Sequence, residues 1–400
     1  MRTIKPKTFV ILMGTAFLAA LCLLSGCIVF AQKMWGIKWS TGVVNQYNSL
    51  ISRQQKTDYF SQENIRHTGY IIGGSKAGAL RPERFKDFTG NDYYNFYVAS
   101  GNFRDYTLYI EYILKEKRET VKNIVLHLSS HESEKFERVQ FIPVQMQNNM
   151  FSKLHSTGQF VRENYLNVQT FFSLYKYKNN LPDSVIGISA ATGERSREED
   201  SYVFSSYEND ARKFYNDVFC YWGDYNANLK DLFYKNPDLS ACEKNILALK
   251  RIKSSCEENG VKLTVVIGPT FIAECFKYAT PQYIKYIEEI VSICGKVWNF
   301  SGINNVNLNP YNFYNGGHCW IFVGDKMVET IFSSKPNESD LDAFGILLTS
   351  KNIESFISRQ KEKWRALKEE YERTGQISLQ TKDDKSYLGI RMQGNTAGQN

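Results

Sequence analysis

Thr68-Gly69-Tyr70-Ile71-Ile72-Gly73-Gly74-Ser75-Lys76-Ala77-Gly78-Ala79-Leu80-Arg81 is the stretch around which the chain is organised. Tyr70, Ile71 and Ile72 favour a strand. Two glycines follow at once, then Ser75, then residues able to open a helix. A serine on a tight strand-to-helix turn stands clear of the sheet, and helix-terminal N–H groups beside it can stabilise an oxyanion. Glycine lets the backbone turn where a side chain would collide. Read blandly, the same residues form an ordinary turn after a strand. They do not form a phosphate loop, which needs Gly-x-x-x-x-Gly-Lys-Ser/Thr. Gly73, Gly74 and Gly78 also miss the spacing of a dinucleotide fingerprint.

Downstream, residues 91–99 read as a second strand, ending at Ser100-Gly101-Asn102. Residues 105–115 place Tyr106, Ile110, Ile113 and Leu114 at helical spacing. Residues 123–128 form a third strand, ending at Ser129-Ser130-His131-Glu132. Strand, helix, strand, helix, strand predicts an α/β fold with a mainly parallel sheet and helices on its faces. Residues 135–235 break the alternation as an insertion, with 187–200 as an exposed loop. It is read either as a lid or substrate platform, or as a structural helical insertion. The alternation returns with a helix over 241–259 and a strand over 261–267. A helix over 283–294, a short strand over 297–300, a loop over 312–318 and a helix over 323–332 complete it. This bounds the domain at 67–335. A tail over 336–400 carries a charged amphipathic helix over 353–371, and its last twenty or so residues read as disordered.

At the other end, Arg2, Lys5 and Lys7 precede a run from Thr8 to Ala31 that holds no charge and is about as long as a bilayer is thick. Basic residues in front keep the amino end, residues 1–7, in the cytoplasm. The run predicts a single-pass signal anchor over 8–31, with everything beyond Gln32 on the outer side. Leu24-Ser25-Gly26-Cys27 also resembles a lipobox, which would make Cys27 the lipidated residue of a lipoprotein. Residues 33–66 then read as a stalk and a first helix around 43–52. A net charge of +7, spread among acids, argues against a nucleic-acid partner and is compatible with an anionic lipid or polymer nearby. Six cysteines follow Cys27, all from Cys220 onward, with no Cys-x-x-Cys pair. A metal site is not expected, and no disulfide pairing is assigned.

Sites in open parallel sheets form at the carboxyl ends of the strands. Four loops meet there on this reading: Gly73–Ser75, Ser100–Asn102, Ser129–Glu132 and Asn312–His318. A hydroxyl nucleophile needs a base, and His318, in Tyr314-Asn315-Gly316-Gly317-His318 just before an apolar helix, is the candidate. His131 is the second candidate base.

Ile72-Gly73-Gly74-Ser75-Lys76-Ala77-Gly78 resembles the nucleophile block of the SGNH (GDSL-like) hydrolase superfamily. The similarity is to its membrane-anchored extracytoplasmic branch, which includes proteins similar to DltD and to the alginate O-acetylation proteins. Gly101 matches the oxyanion glycine of the second block, 261–269 is similar to a strand of that branch, and Asn315-Gly-Gly-His318 stands where the family has Asp-x-x-His. The resemblance covers 68–132 and 240–333. It implies a three-layer, flavodoxin-like fold and a Ser75–His318 site, with oxyanion donors from Ser75 and Gly101 and no cofactor. The implied activity is an esterase or O-acyltransferase on acetyl esters of a cell-surface polysaccharide. Two departures stand out. Asn315 replaces the family aspartate, and the third block, Gly-x-Asn-Asp, is absent, leaving Asn102, Ser129 or Ser130 as substitute donors. They favour an alternative, a degenerate SGNH-like protein that binds a polymer or scaffolds envelope proteins.

Overall fold

The computed structural model describes residues 6–34, 43–44, 49–62, 65–129, 132, 139, 141–165, 188–189, 192–194, 229–230, 233–234, 238–271, 279–315 and 317–389. Its centre is a six-stranded sheet. In chain order the strands are β2 (Gly69–Gly73), β3 (Tyr93–Asn95), β4 (Asn123–Leu128), β6 (Lys262–Ile267), β7 (Val297–Asn299) and β10 (Ile346–Leu348). They lie side by side as β10-β7-β6-β4-β2-β3. All neighbours are parallel except β10, which runs antiparallel on β7. The chain first moves outward from β2 to β3, then returns past β2 to β4. The reversal point, where doubly wound sheets place their sites, is therefore the carboxyl end of β2. Ser75 stands there.

Alternation along each strand sorts the two faces. Tyr70, Ile72, Ile124, Leu126, Val265 and Ile267 point to one side. There they pack on α4 (Phe103–Glu116), α6 (Cys242–Glu258) and α7 (Pro281–Cys294). Ile71, Val125, Val266 and Trp298 point to the other, against Phe85 of α3 (Pro82–Thr89) and Met327, Val328 and Ile331 of α8 (Ile321–Ile331). The result is a mixed α/β fold in three layers around a mostly parallel sheet.

Several expectations are corrected. The first helix of the domain is α2 (Ser49–Phe60), not 43–52, because Val43–Val44 (β1) pair with Ile188–Ser189 (β5). Nor is α2 a stalk: Arg53, Lys56, Thr57 and Phe60 are buried in the domain. The described part of 187–200 is docked rather than exposed. Asn95 N–H on the edge strand donates to Thr192 O at 2.8 Å, and Gly193 lies so close to Asn95 O that no side chain would fit. The domain also does not end at 335. β10 extends the sheet, and Phe356 and Ile357 of α9 (Ile353–Thr374) enter the core. Residues 381–389, expected to be disordered, are pinned by Asn309 Nδ2 to Thr381 O (2.9 Å), Asn312 Nδ2 to Ser386 O (2.8 Å) and Leu388 N–H to Asn312 Oδ1 (3.0 Å). Buried Asn304, Asn307, Asn309 and Asn312 supply side-chain partners to a segment without regular structure, meeting the backbone requirement that strands and helices meet elsewhere.

At the amino end, α1 (Pro6–Met34) is one helix. Its described side chains, Val10, Ile11, Phe17 and Leu23 among them, are exposed. The expected span over 8–31 finds no support there: the side chains of residues 24–34 lie outside the described set, and among the described residues no helix is long and apolar enough to cross a membrane. The side chain of Cys27, with Cys220 and Cys275, lies outside the described set. Among the described residues Cys22 is exposed, and Cys256 and Cys294 are free thiols.

Candidate active site

β2 ends at Gly73, where nothing larger fits, and Gly74 follows in tight space. A Cβ on Gly73 would meet His127 O at 2.6 Å, and one on Gly74 the Tyr106 hydroxyl at 3.0 Å. Ser75 then opens a single 3-10 turn, Ser75–Ala79, where a helix was open to expectation; α3 starts only at Pro82. The turn's first bond runs from Ala77 N–H to Gly74 O. Ser75 N–H, at the open end, has no acceptor among the described residues and can donate to an incoming anion.

His318 comes from a hairpin, not a loop: β8 (Phe313–Asn315) and β9 (His318–Cys319) pair antiparallel across residues 316–317. Its Nε2 stands 2.7 Å from Ser75 Oγ, across 243 residues of chain. Its Nδ1 stands 2.9 Å from Asn315 Oδ1. Gly317 N–H donates to that same Oδ1 at 2.9 Å, which fixes the amide orientation, since an amide nitrogen could not accept it. The oxygen therefore faces His318, Nδ1 carries the proton, and Nε2 offers its lone pair to Ser75. Tyr314 stacks on the imidazole, with centroids 5.5 Å apart.

The hairpin is held onto the serine turn by α8. Gly324 packs against Ala79 so closely that a Cβ would lie 2.0 Å from Ala79 O. Arg81, just after the turn, donates through Nε to Asp325 Oδ1 at 2.6 Å and through a guanidinium nitrogen to Oδ2. Both side chains are about nine-tenths buried. This pair and Gly324 went unrecognised as site supports; the only signal was a Gly-Asp step in the expected helix.

The second loop departs from expectation. Gly101 N–H donates to Val98 O at 2.9 Å, closing a turn in which Ser100 takes a left-handed φ of 54°. Val98 N–H in turn hangs on Gly73 O. Gly101 is thus close to the nucleophile turn, but its N–H is committed and does not serve as the expected oxyanion donor in this state. Asn102 caps α4: its Oδ1 accepts Arg104 N–H at 2.9 Å and its N–H donates to Asp105 Oδ2. Its Nδ2 has no acceptor among the described residues. Ser129 is also spent, since its N–H and Oγ both donate to Glu132 Oε2. Ser130 and His131 lie outside the described residues.

Glu132, expected only as the end of the third loop, and His127, which drew no expectation, border the site. Glu132 is buried and also accepts the Tyr106 hydroxyl at 2.8 Å, tying the third loop to α4 beside Gly74. His127 sits in β4 opposite Gly73, with Nε2 where a side chain of residue 268 would stand. Burial, then the Lys76 charge, pushes its imidazole down to about 3, so it is neutral. Behind the second loop, Arg53 pairs with buried Asp105 and donates to Ala99 O, and Lys56 Nζ donates to Asn95 O and Tyr97 O.

Two cavities, of about 800 and 660 Å³, share Arg104 and lie along α4, α6 and α5 (Met150–Tyr165). Neither is lined by Ser75 or His318, which are half-buried at the surface. Among the described residues no group of three His, Cys, Asp or Glu side chains could hold a metal ion. No protein-family model matches the chain, and no curated protein matches it.

Proposed function

We propose that the chain is an SGNH-like serine esterase or O-acyltransferase, held to the outer side of a membrane by α1. Its proposed substrate is acyl esters, acetyl among them, on a cell-surface glycan. The observation that carries this reading is the 2.7 Å contact of Ser75 Oγ with His318 Nε2, oriented by Asn315. The reading of α1 as an anchor is supported by the uncharged run 8–31 and by the exposure of the described apolar side chains on that helix.

In this mechanism His318 Nε2 takes the hydroxyl proton as Ser75 Oγ attacks the ester carbonyl. Ser75 N–H and Asn102 Nδ2 receive the developing oxyanion. The imidazolium returns its proton to the leaving alkoxide, which departs as the alcohol and leaves an acyl-serine. Water or a sugar hydroxyl, deprotonated by His318, then resolves it. Asn315 holds the ring and its tautomer without offsetting the charge, so the step is slower than with a carboxylate.

Hydrolysis of 4-nitrophenyl acetate by the full chain tests this. Ser75→Ala and His318→Ala should each cost at least about 10³-fold in kcat. Unchanged turnover in Ser75→Ala would contradict the reading. A second reading, a non-catalytic glycan-binding relative, is favoured by Asn315 and by the committed Gly101 N–H. It predicts no turnover in the wild type.

A further inference from the structure

α5 is amphipathic in an unusual sense. Its inner side buries Ser156 and sets Phe160 on Phe141, with ring centroids 6.2 Å apart. On its outer side Met150, Phe151 and Leu154 are 71%, 85% and 61% exposed. These three lie on one arc at helical spacing, a turn apart, and are flanked by exposed Lys153 and His155. Isolated exposed apolar residues mean little, but a rimmed cluster marks an interaction surface. The place of the cluster says what covers it. α5 runs beside both α1 and α2, with Cα atoms within 8 Å, so it stands where the apolar N-terminal helix meets the domain. The described side chains of α1 are exposed as well, so both neighbouring helices carry uncovered apolar surface.

We propose that α5 is a second membrane contact. Met150, Phe151 and Leu154 enter the interfacial layer of the bilayer that α1 anchors, with Lys153 at the level of the lipid phosphates. An apolar arc beside basic residues is the pattern of helices that lie in a membrane interface. The contact fixes the domain against the bilayer at a second point, which a single anchor helix does not. It rests on the reading of α1 as the anchor.

The test places a photo-crosslinking phenylalanine analogue at 151, at 17 in α1, or at 247, an exposed position on α6. Each full-length chain is reconstituted in nanodiscs of phosphatidylethanolamine and phosphatidylglycerol, and lipid adducts are read by mass spectrometry. The proposal expects adducts at 17 and 151, with 151 exceeding 247 by about tenfold. Adducts at 17 with 151 no higher than 247 would overturn the α5 contact while leaving the anchor intact. Adducts at neither 17 nor 151 would overturn both. Protein-to-protein crosslinks in place of lipid adducts at 151 would show that the patch is a protein interface, and would likewise overturn it.

Discussion

Asn315 Oδ1 accepts two hydrogen bonds at 2.9 Å, from Gly317 N–H and from His318 Nδ1. The first decides the second. Because the backbone donor fixes the amide, Asn315 presents an oxygen to the imidazole, as a carboxylate would. In serine proteases carrying Asp→Asn at this place, the wrong tautomer is held and turnover falls about 10⁴-fold. Here the right tautomer is held and only the charge is lost. Asn315→Asp should therefore raise ester turnover, by about 10- to 100-fold, with little change in KM. Asn315→Leu, which removes the acceptor, should lower it. Kinetics with an aryl acetate check both directions.

Gly324 and Ala79 O are in contact with no room for a methyl group. Gly324→Ala forces α8 away from the 3-10 turn and carries the hairpin with it, opening the Ser75–His318 bond. We expect a loss of about 1–3 kcal/mol in urea unfolding from the overpacking. A loss of turnover should accompany it under conditions where the variant remains folded. Gly14→Ala, at a position with open space, is the silent control.

His127 gives the pH dependence a sign. Its imidazole, pushed down to about 3 by burial, stays neutral in the folded chain, whereas the unfolded chain takes up a proton near pH 6.5. The stability linked to this group is full above about pH 6.5 and is lost as pH falls toward about 3, at about 1.4 kcal/mol per unit between them. His127→Gln should cost stability at pH 8 through its altered packing, and should flatten the slope of unfolding free energy between pH 6.5 and 5. Urea titrations across that range measure the slope.

Arg53 and Asp105 bury opposite charges, each about 1% exposed, behind the second loop. Burial raises the Asp105 carboxyl while the Arg53 charge pulls it back. Arg53→Met leaves a carboxylate without its cation and should destabilise the chain by about 3–5 kcal/mol. Arg53→Met with Asp105→Leu should recover part of that in the same unfolding experiment, less what the lost cap on Asn102 costs.

The partners of the Ser75–His318 contact were legible because short-range signals announced them. A β-favouring run closing on Gly-Gly-Ser marks a turn with no space for side chains, and Asn-Gly-Gly-His marks a tight reversal before a helix. The alternating strands and helices between them were legible for the same reason. What failed depended on tertiary contacts. The direction of Gly101 N–H is set by Ser100 adopting a left-handed backbone and by Val98 hanging on Gly73. β10 is only Ile346–Leu348, too short to show alternation, and is defined by its pairing with β7. The end of the domain was misplaced because residues 381–389 are ordered by asparagine side chains seventy or so positions upstream, a register no local pattern records.

The most direct test of the Ser75–His318 site is labelling of the full chain with a fluorophosphonate probe, which reacts only with an activated serine. The account predicts one adduct, on Ser75, absent from Ser75→Ala, lost in His318→Ala and faster in Asn315→Asp. A folded wild-type chain that takes no label, or one that labels equally well without His318, would contradict it.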